Sequence, residues 1–185
     1  MSTVSHKTTD NEIYIVLTRT GTWVSKLIRL ITGAEFNHAS ISLSKDLTMM
    51  YSFGRRHPYN PVWGGFVQEC PNKGTFKRFP DTTAVVLKVD VSEDTYKDIV
   101  THMDKMMSEQ NKYHYNYLGL GFAAIKKPRK KERCYYCSEF VSEVLTKYNV
   151  NGAERLPEVV HPMNFMELEY EQIYRGRLND YSSAM

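Results

Sequence analysis

Cys137 and His38 are the two residues of this chain whose types and settings can do chemistry together. Cys137 stands in Cys-Tyr-Tyr-Cys-Ser-Glu-Phe-Val-Ser-Glu-Val-Leu, residues 134–145, where an amphipathic helix is expected to begin. A thiol at a helix start feels the positive end of the peptide dipoles and the unpaired backbone N–H groups, which favour the thiolate. His38 lies far upstream in Asn-His-Ala-Ser-Ile-Ser-Leu, a run that reads as a strand. A thiol nucleophile with an imidazole base is the chemistry such a pair supplies.

Strand alternation puts His38, Ser40 and Ser42 on one face and Ala39, Ile41 and Leu43 on the other. Small polar neighbours on the histidine face leave room for a helix start to approach the imidazole. With a hairpin loop at Ser44–Asp46, Ser52 on the next strand is expected opposite His38, where its hydroxyl holds the second ring nitrogen. On the helix, Phe140, Val141, Val144, Leu145 and Tyr148 share an apolar face below Cys137. Ser138, Glu139, Ser142, Glu143 and Lys147 are assigned to the solvent side, with Glu143 and Lys147 as an i,i+4 ion pair.

The remaining elements follow from the same periodicities. Glu12–Thr18 reads as a central strand, and Thr22 as the cap of a helix to Ile31. Strands are expected at 36–43, 48–53, 66–69, 84–89 and 172–178. Ser92 caps a helix whose inner stripe holds Tyr96, Ile99, Val100, Met103 and Met107, and a short helix is expected near Met163. Residues 54–65, rich in Gly, Pro, Asn and aromatics, are expected to form an ordered loop. At 185 residues and 42% hydrophobic content, residues 12–185 are read as one domain behind a polar tail at 1–11.

Composition excludes several classes. The longest uncharged apolar stretch, Tyr117–Ile125, falls short of the ~18 residues of a membrane span. The first residues lack the apolar core of a secretory signal, and three cysteines suit a reducing compartment, so a cytoplasmic location is expected. A net charge of +3 gives no strong nucleic-acid signal. Charge is nevertheless concentrated at 126–133, where six of eight residues are basic; Lys126, Lys127, Arg129 and Lys130 are read as a solvated loop or as an attractor for an anionic substrate.

The order of a histidine strand, a second strand and then Tyr-Cys-Ser-Glu-Phe-Val resembles the circularly permuted branch of the papain-like cysteine hydrolases, over roughly residues 13–145. That branch includes permuted NlpC-type peptidases and lecithin:retinol acyltransferase-like enzymes. The resemblance implies an α+β fold with a mainly antiparallel sheet, the nucleophile helix packed on it, and an acyl-enzyme on Cys137. The third member is then Ser52 or, on the following strand, Glu69. Oxyanion donors would be the Cys137 backbone N–H with Tyr115 or Tyr136. The substrate would be a small peptide, a peptidoglycan-like amide or an acyl ester, with neither cofactor nor metal. Two rivals remain: a ligand-binding module without catalysis, and a dithiol centre at Cys134 and Cys137, whose Cys-x-x-Cys spacing also occurs in redox proteins.

Overall fold

The computed structural model describes residues 11–20, 34–57, 60–123 and 131–183. The helix expected at 22–31, the polar tail up to residue 10, and Lys126, Lys127, Arg129 and Lys130 lie outside the described residues.

Six strands form one antiparallel sheet: β1 (Asn11–Arg19), β2 (His38–Ser42), β3 (Met50–His57), β4 (Asn60–Glu69), β5 (Thr83–Val91) and β8 (Glu171–Arg177), in the order β4-β3-β2-β1-β5-β8. A two-stranded parallel sheet pairs β6 (His114–Tyr115) with β7 (Cys134–Tyr135). Four α-helices complete the described chain: α1 (Gly74–Arg78), α2 (Glu93–Ser108), α3 (Tyr117–Ala123) and α4 (Cys137–Lys147), with short 3-10 turns such as Pro162–Glu167. The architecture is mixed α/β with a mostly antiparallel sheet and few helices.

β1 is central because Ile13, Tyr14, Ile15, Val16 and Leu17 are apolar in unbroken succession and both faces of the sheet are covered. Ile13, Ile15 and Leu17 meet α2 and α4 in the main core; Tyr14 and Val16 meet Met50, Phe76 and Leu178 in a smaller one. Ser92 caps α2 by accepting from the Thr95 backbone N–H at 3.1 Å, and Ile99, Met103 and Met106 face inward.

Residues 54–57 and 60–65 are strand and not loop. β3 and β4 continue as a hairpin out to His57 and Asn60, with a bulge between Arg55 and His57. Paired glycines, Gly54 opposite Gly65 and Gly64 opposite Arg55, gave that stretch its loop-like composition. They are there for close approach: a Cβ on Gly65 would lie 2.5 Å from the Tyr113 carbonyl oxygen, and one on Gly64 would lie 2.8 Å from the Tyr117 hydroxyl. Arg56 donates to the Gln110 carbonyl and, at 2.8 Å, to that of Tyr113, tying the hairpin to the segment that leads into β6.

The β2–β3 hairpin differs from its expected register. Ile41 pairs with Tyr51 and Ser42 with Met50, two residues out of step with a three-residue loop. Buried Leu47 extends the turn through a left-handed backbone at φ 58. A slip of two preserves the face of every side chain, so Ser52 still shares a face with His38.

Candidate active site

α4 begins at Cys137 because Glu139 holds its first turn: the Tyr136 backbone N–H donates to Glu139 Oε2 at 3.2 Å. Glu139 is therefore a cap, not the solvent residue expected, and Ser138 is buried with its hydroxyl donating to the Val160 carbonyl at 2.7 Å. The expected Glu143–Lys147 pair does not form. Glu143 accepts from the Tyr135 hydroxyl at 2.8 Å, and Lys147 Nζ lies 5.3 Å from the Tyr148 ring centroid.

The helix body packs against Ala39, Ile41 and Phe53, the face opposite to the histidine set, with Phe140 meeting Phe53 at 5.2 Å and Phe66 at 5.5 Å between ring centroids. Expectation had the helix start approaching over the small polar face. Instead it reaches the imidazole where the sheet opens. Leu43 N–H donates to the Met49 carbonyl, so by alternation the Ala39 N–H also aims at β3. The β2–β3 ladder stops at Ile41–Tyr51, however, and the Ala39 N–H is close enough to the Cys137 sulfur to favour its thiolate. The parting of two strands admits the thiol.

His38 and Cys137 lie close enough for each to shift the pKa of the other. On the far side of the ring, Nε2 lies 3.1 Å from Glu69 Oε2, 3.2 Å from Glu69 Oε1 and 3.2 Å from Ser52 Oγ. Nε2 is thereby occupied and Nδ1 is the nitrogen left for sulfur. Ser40 donates to Glu69 Oε2 at 2.7 Å, and Ser52 lies close enough to that carboxylate to favour its charge. Gly54 leaves room for it, since a Cβ there would meet Glu69 Oε1 at 3.3 Å.

The electrostatics follow from this order. Burial opposes charge on all three groups, and in each case a partner outweighs it. The Glu69 carboxylate, then the hydrogen bonds to Cys137 and Glu69, push the His38 imidazolium well above its ordinary pKa. The charge of His38 holds Glu69 below the usual carboxylate range. The His38 hydrogen bond and charge, with the backbone N–H groups of Ala39 and Ser138, draw the Cys137 thiol down. All three shifts run in the direction that favours a thiolate beside an imidazolium backed by a carboxylate. Cys137 itself is only 3% exposed.

Tyr115 also belongs here. Its hydroxyl lies within interaction range of Cys137, and burial followed by the sulfur's charge raises its pKa well above the ordinary value. The small sheet explains its placement. Asn116 N–H donates to the Tyr135 carbonyl at 2.8 Å, Asn116 Nδ2 reaches Glu139 at 3.4 Å, and Asn116 Oδ1 accepts from Gly119 N–H at 2.8 Å. Tyr115 and the start of α4 are thus held by one residue. Buried Tyr136, the other expected donor, is near enough to feel the sulfur's charge without hydrogen-bonding it, and its pKa rises chiefly through burial and then through Glu139.

Cys137, His38, Ser52, Glu69 and Tyr115 therefore come together. Sequence reasoning gave no role to Ser40, the Ala39 N–H or Asn116. Alternation had placed Ser40 beside His38; a strand opening and a side chain that joins two short strands leave no local pattern. Cys134 is buried on β7 with a free thiol, as is Cys137, and Cys70 is half-buried and free. Among the described residues no group of His, Cys, Asp and Glu is placed to hold a metal ion, and no helix is long and apolar enough to cross a membrane.

No family model, curated protein or solved structure matches this chain.

Proposed function

We propose that this protein is a cysteine hydrolase or acyltransferase of permuted papain-like fold, with Cys137 as nucleophile, His38 as general acid and base, and Glu69 as the group that orients and charges the imidazole. The observation that carries the reading is the His38 ring held at 3.1 Å from Glu69 on one side with the Cys137 sulfur close enough to interact with it. Ser52 and Ser40 then act as hydroxyl donors that keep the carboxylate ionised. The histidine strand precedes the cysteine helix, the chain order of the permuted branch that the sequence resembles.

The chemistry balances without a cofactor. The Cys137 thiolate attacks an amide or ester carbonyl; an S–C bond forms and the carbonyl electrons move to oxygen. The Cys137 backbone N–H and the Tyr115 hydroxyl are the donors for that oxyanion. As the tetrahedral intermediate collapses, the C–N or C–O bond breaks and His38 gives its proton to the leaving group. Neutral His38 then takes a proton from water or an acceptor alcohol or amine, which attacks the thioester and frees the thiolate.

Amide hydrolysis of a small peptide or peptidoglycan-like substrate is the first reading, with acyl transfer from an ester second. Three free cysteines fit action in a reducing cytoplasm. Profiling the protein and its Cys137→Ala variant against peptide and acyl-ester libraries, with mass spectrometry of trapped adducts, tests this. An acyl adduct on Cys137, absent in the variant, is expected. Absence of any adduct, together with an iodoacetamide rate at Cys137 that matches a free thiol and is unchanged in His38→Ala, would leave a binding module in place of an enzyme.

A further inference from the structure

β3 carries a cation that the proposed mechanism leaves unused. Arg55 pairs directly with Gly64 on β4, so the two positions share a face of the hairpin. A Cβ on Gly64 would lie 2.9 Å from Tyr115 Cβ and 2.8 Å from the Tyr117 hydroxyl, which puts those two tyrosines beside Arg55. Tyr115 is within electrostatic reach of both the guanidinium and the Cys137 sulfur. Arg55 is half-buried, and none of the described carboxylates pairs with it. Burial weighs against its charge, and the charge of Arg78 adds to that. An anion beside the guanidinium would offset both.

A cavity of about 540 Å³, within the usual range for a small-molecule site, has Arg55, Arg56, Lys73 and Glu69 in its wall. Glu69 is the one carboxylate there, and His38 and Ser40 already hold it. The wall is therefore electropositive where it borders the group that orients the imidazole.

We propose that the acyl donor of this enzyme carries an anionic group, a carboxylate or phosphate, and that Arg55 receives it in this cavity. A guanidinium meets either group through parallel N–H donors, and the pairing gains strength where water is partly excluded. Arg55 then determines specificity, because a neutral analogue of the donor leaves the half-buried cation unpaired. The substrate class so assigned rests on Cys137 acting as the nucleophile.

Iodoacetate and iodoacetamide alkylate the same thiolate but differ in charge, so the ratio of their rates at Cys137 reads the local potential at any thiolate fraction. Relative to a small neutral thiol, the ratio should be raised about three- to tenfold, and salt should diminish it. His38 contributes to that potential, so Arg55→Gln is the deciding comparison. It should cut the ratio by about threefold or more, whereas Arg55→Lys should keep most of it, with circular dichroism showing both variants folded. Acyl donors bearing a carboxylate, a phosphate or a neutral amide at the same position separate the two anions. One charged donor should acylate Cys137 at least about tenfold faster than the amide, and Arg55→Gln should remove that preference. A ratio that Arg55→Gln leaves unchanged, or a wild type that prefers the neutral donor, would overturn the assignment. Failure of every donor, with the ratio still falling in Arg55→Gln, would sink the enzyme reading and uphold the anion preference of the cavity.

Discussion

Glu69 Oε2 lies 3.1 Å from His38 Nε2 although β3 runs between the strands that carry them. The carboxylate reaches past Ser52 and Gly54, β3 residues on that face, and the glycine makes this possible. Charge follows from contact. Among the groups at Nε2, only Glu69 can raise the imidazole pKa by ion pairing; a serine hydroxyl serves either tautomer. Glu69→Gln should therefore lower the His38 pKa by more than about one unit, whereas Ser52→Ala should change it less. Titration of the ring by NMR measures both. A larger effect from Ser52→Ala would remove Glu69 from the proposed role.

The lowered pKa of Cys137 and the raised pKa of His38 define a pH range in which thiolate and imidazolium coexist. Iodoacetamide should alkylate Cys137 with a midpoint below the ~8.5 of an ordinary thiol. In His38→Ala, burial stays and its counterweight goes, so the midpoint should return to that value or pass it. Turnover of a substrate should also fall at high pH as His38 loses its proton, which alkylation of the thiolate does not require. Superimposable alkylation profiles for the two proteins would contradict the ion pair.

Most of this site was legible because its members sit on elements with strong periodicity. Period two put His38, Ser40 and Ser52 on one face, and that survived a register slip because the slip was even. Helical spacing put Cys137 above Phe140 and Val141. What could not be read was where the sheet parts. Ala39 reads as an ordinary inward strand residue, and only the end of the β2–β3 ladder leaves its N–H free to act on the sulfur. The β3–β4 hairpin was hidden for a different reason: glycines that admit Tyr113 and Tyr117 look like turn residues in one dimension.

The same ion pair couples stability to pH with opposite signs on its two sides. Glu69, whose folded pKa is depressed, contributes stability that is present above the unfolded value of about 4.3 and is lost as pH falls through the folded value. His38, whose folded pKa is raised, contributes stability that is present below about 6.5 and is lost as pH rises through its folded value. The advantage of the wild type over Glu69→Gln should be largest between about pH 4.3 and 6.5, up to about 3 kcal/mol, and shrink on either side. Denaturant midpoints across pH supply the test, and a constant difference would show that the pair does not titrate on folding.

Phe140 connects the core to the Cys137 thiol. It is 2% exposed and meets Phe53, Phe66 and Tyr135 one turn below Cys137. Phe140→Ala should cost about 3–5 kcal/mol, read from denaturant unfolding. The helix start should loosen with it, so the residual folded protein should show slower alkylation at neutral pH. Phe140→Leu, which keeps most of the volume, should cost less and retain the wild-type alkylation midpoint.

Tyr115 separates transition-state stabilisation from thiol activation. Its hydroxyl interacts with the sulfur, and the proposed mechanism makes it a donor to the oxyanion. Its own pKa is raised by burial and the neighbouring sulfur, so it keeps its proton through the working pH range. Tyr115→Phe should therefore reduce acyl-enzyme formation by about 10²–10³. Its effect on alkylation should be small, because the His38 charge and the Ala39 and Ser138 N–H groups still support the thiolate. Equal losses in the two assays would assign Tyr115 to thiolate support alone, and the oxyanion donor would then have to come from elsewhere along the α4 start.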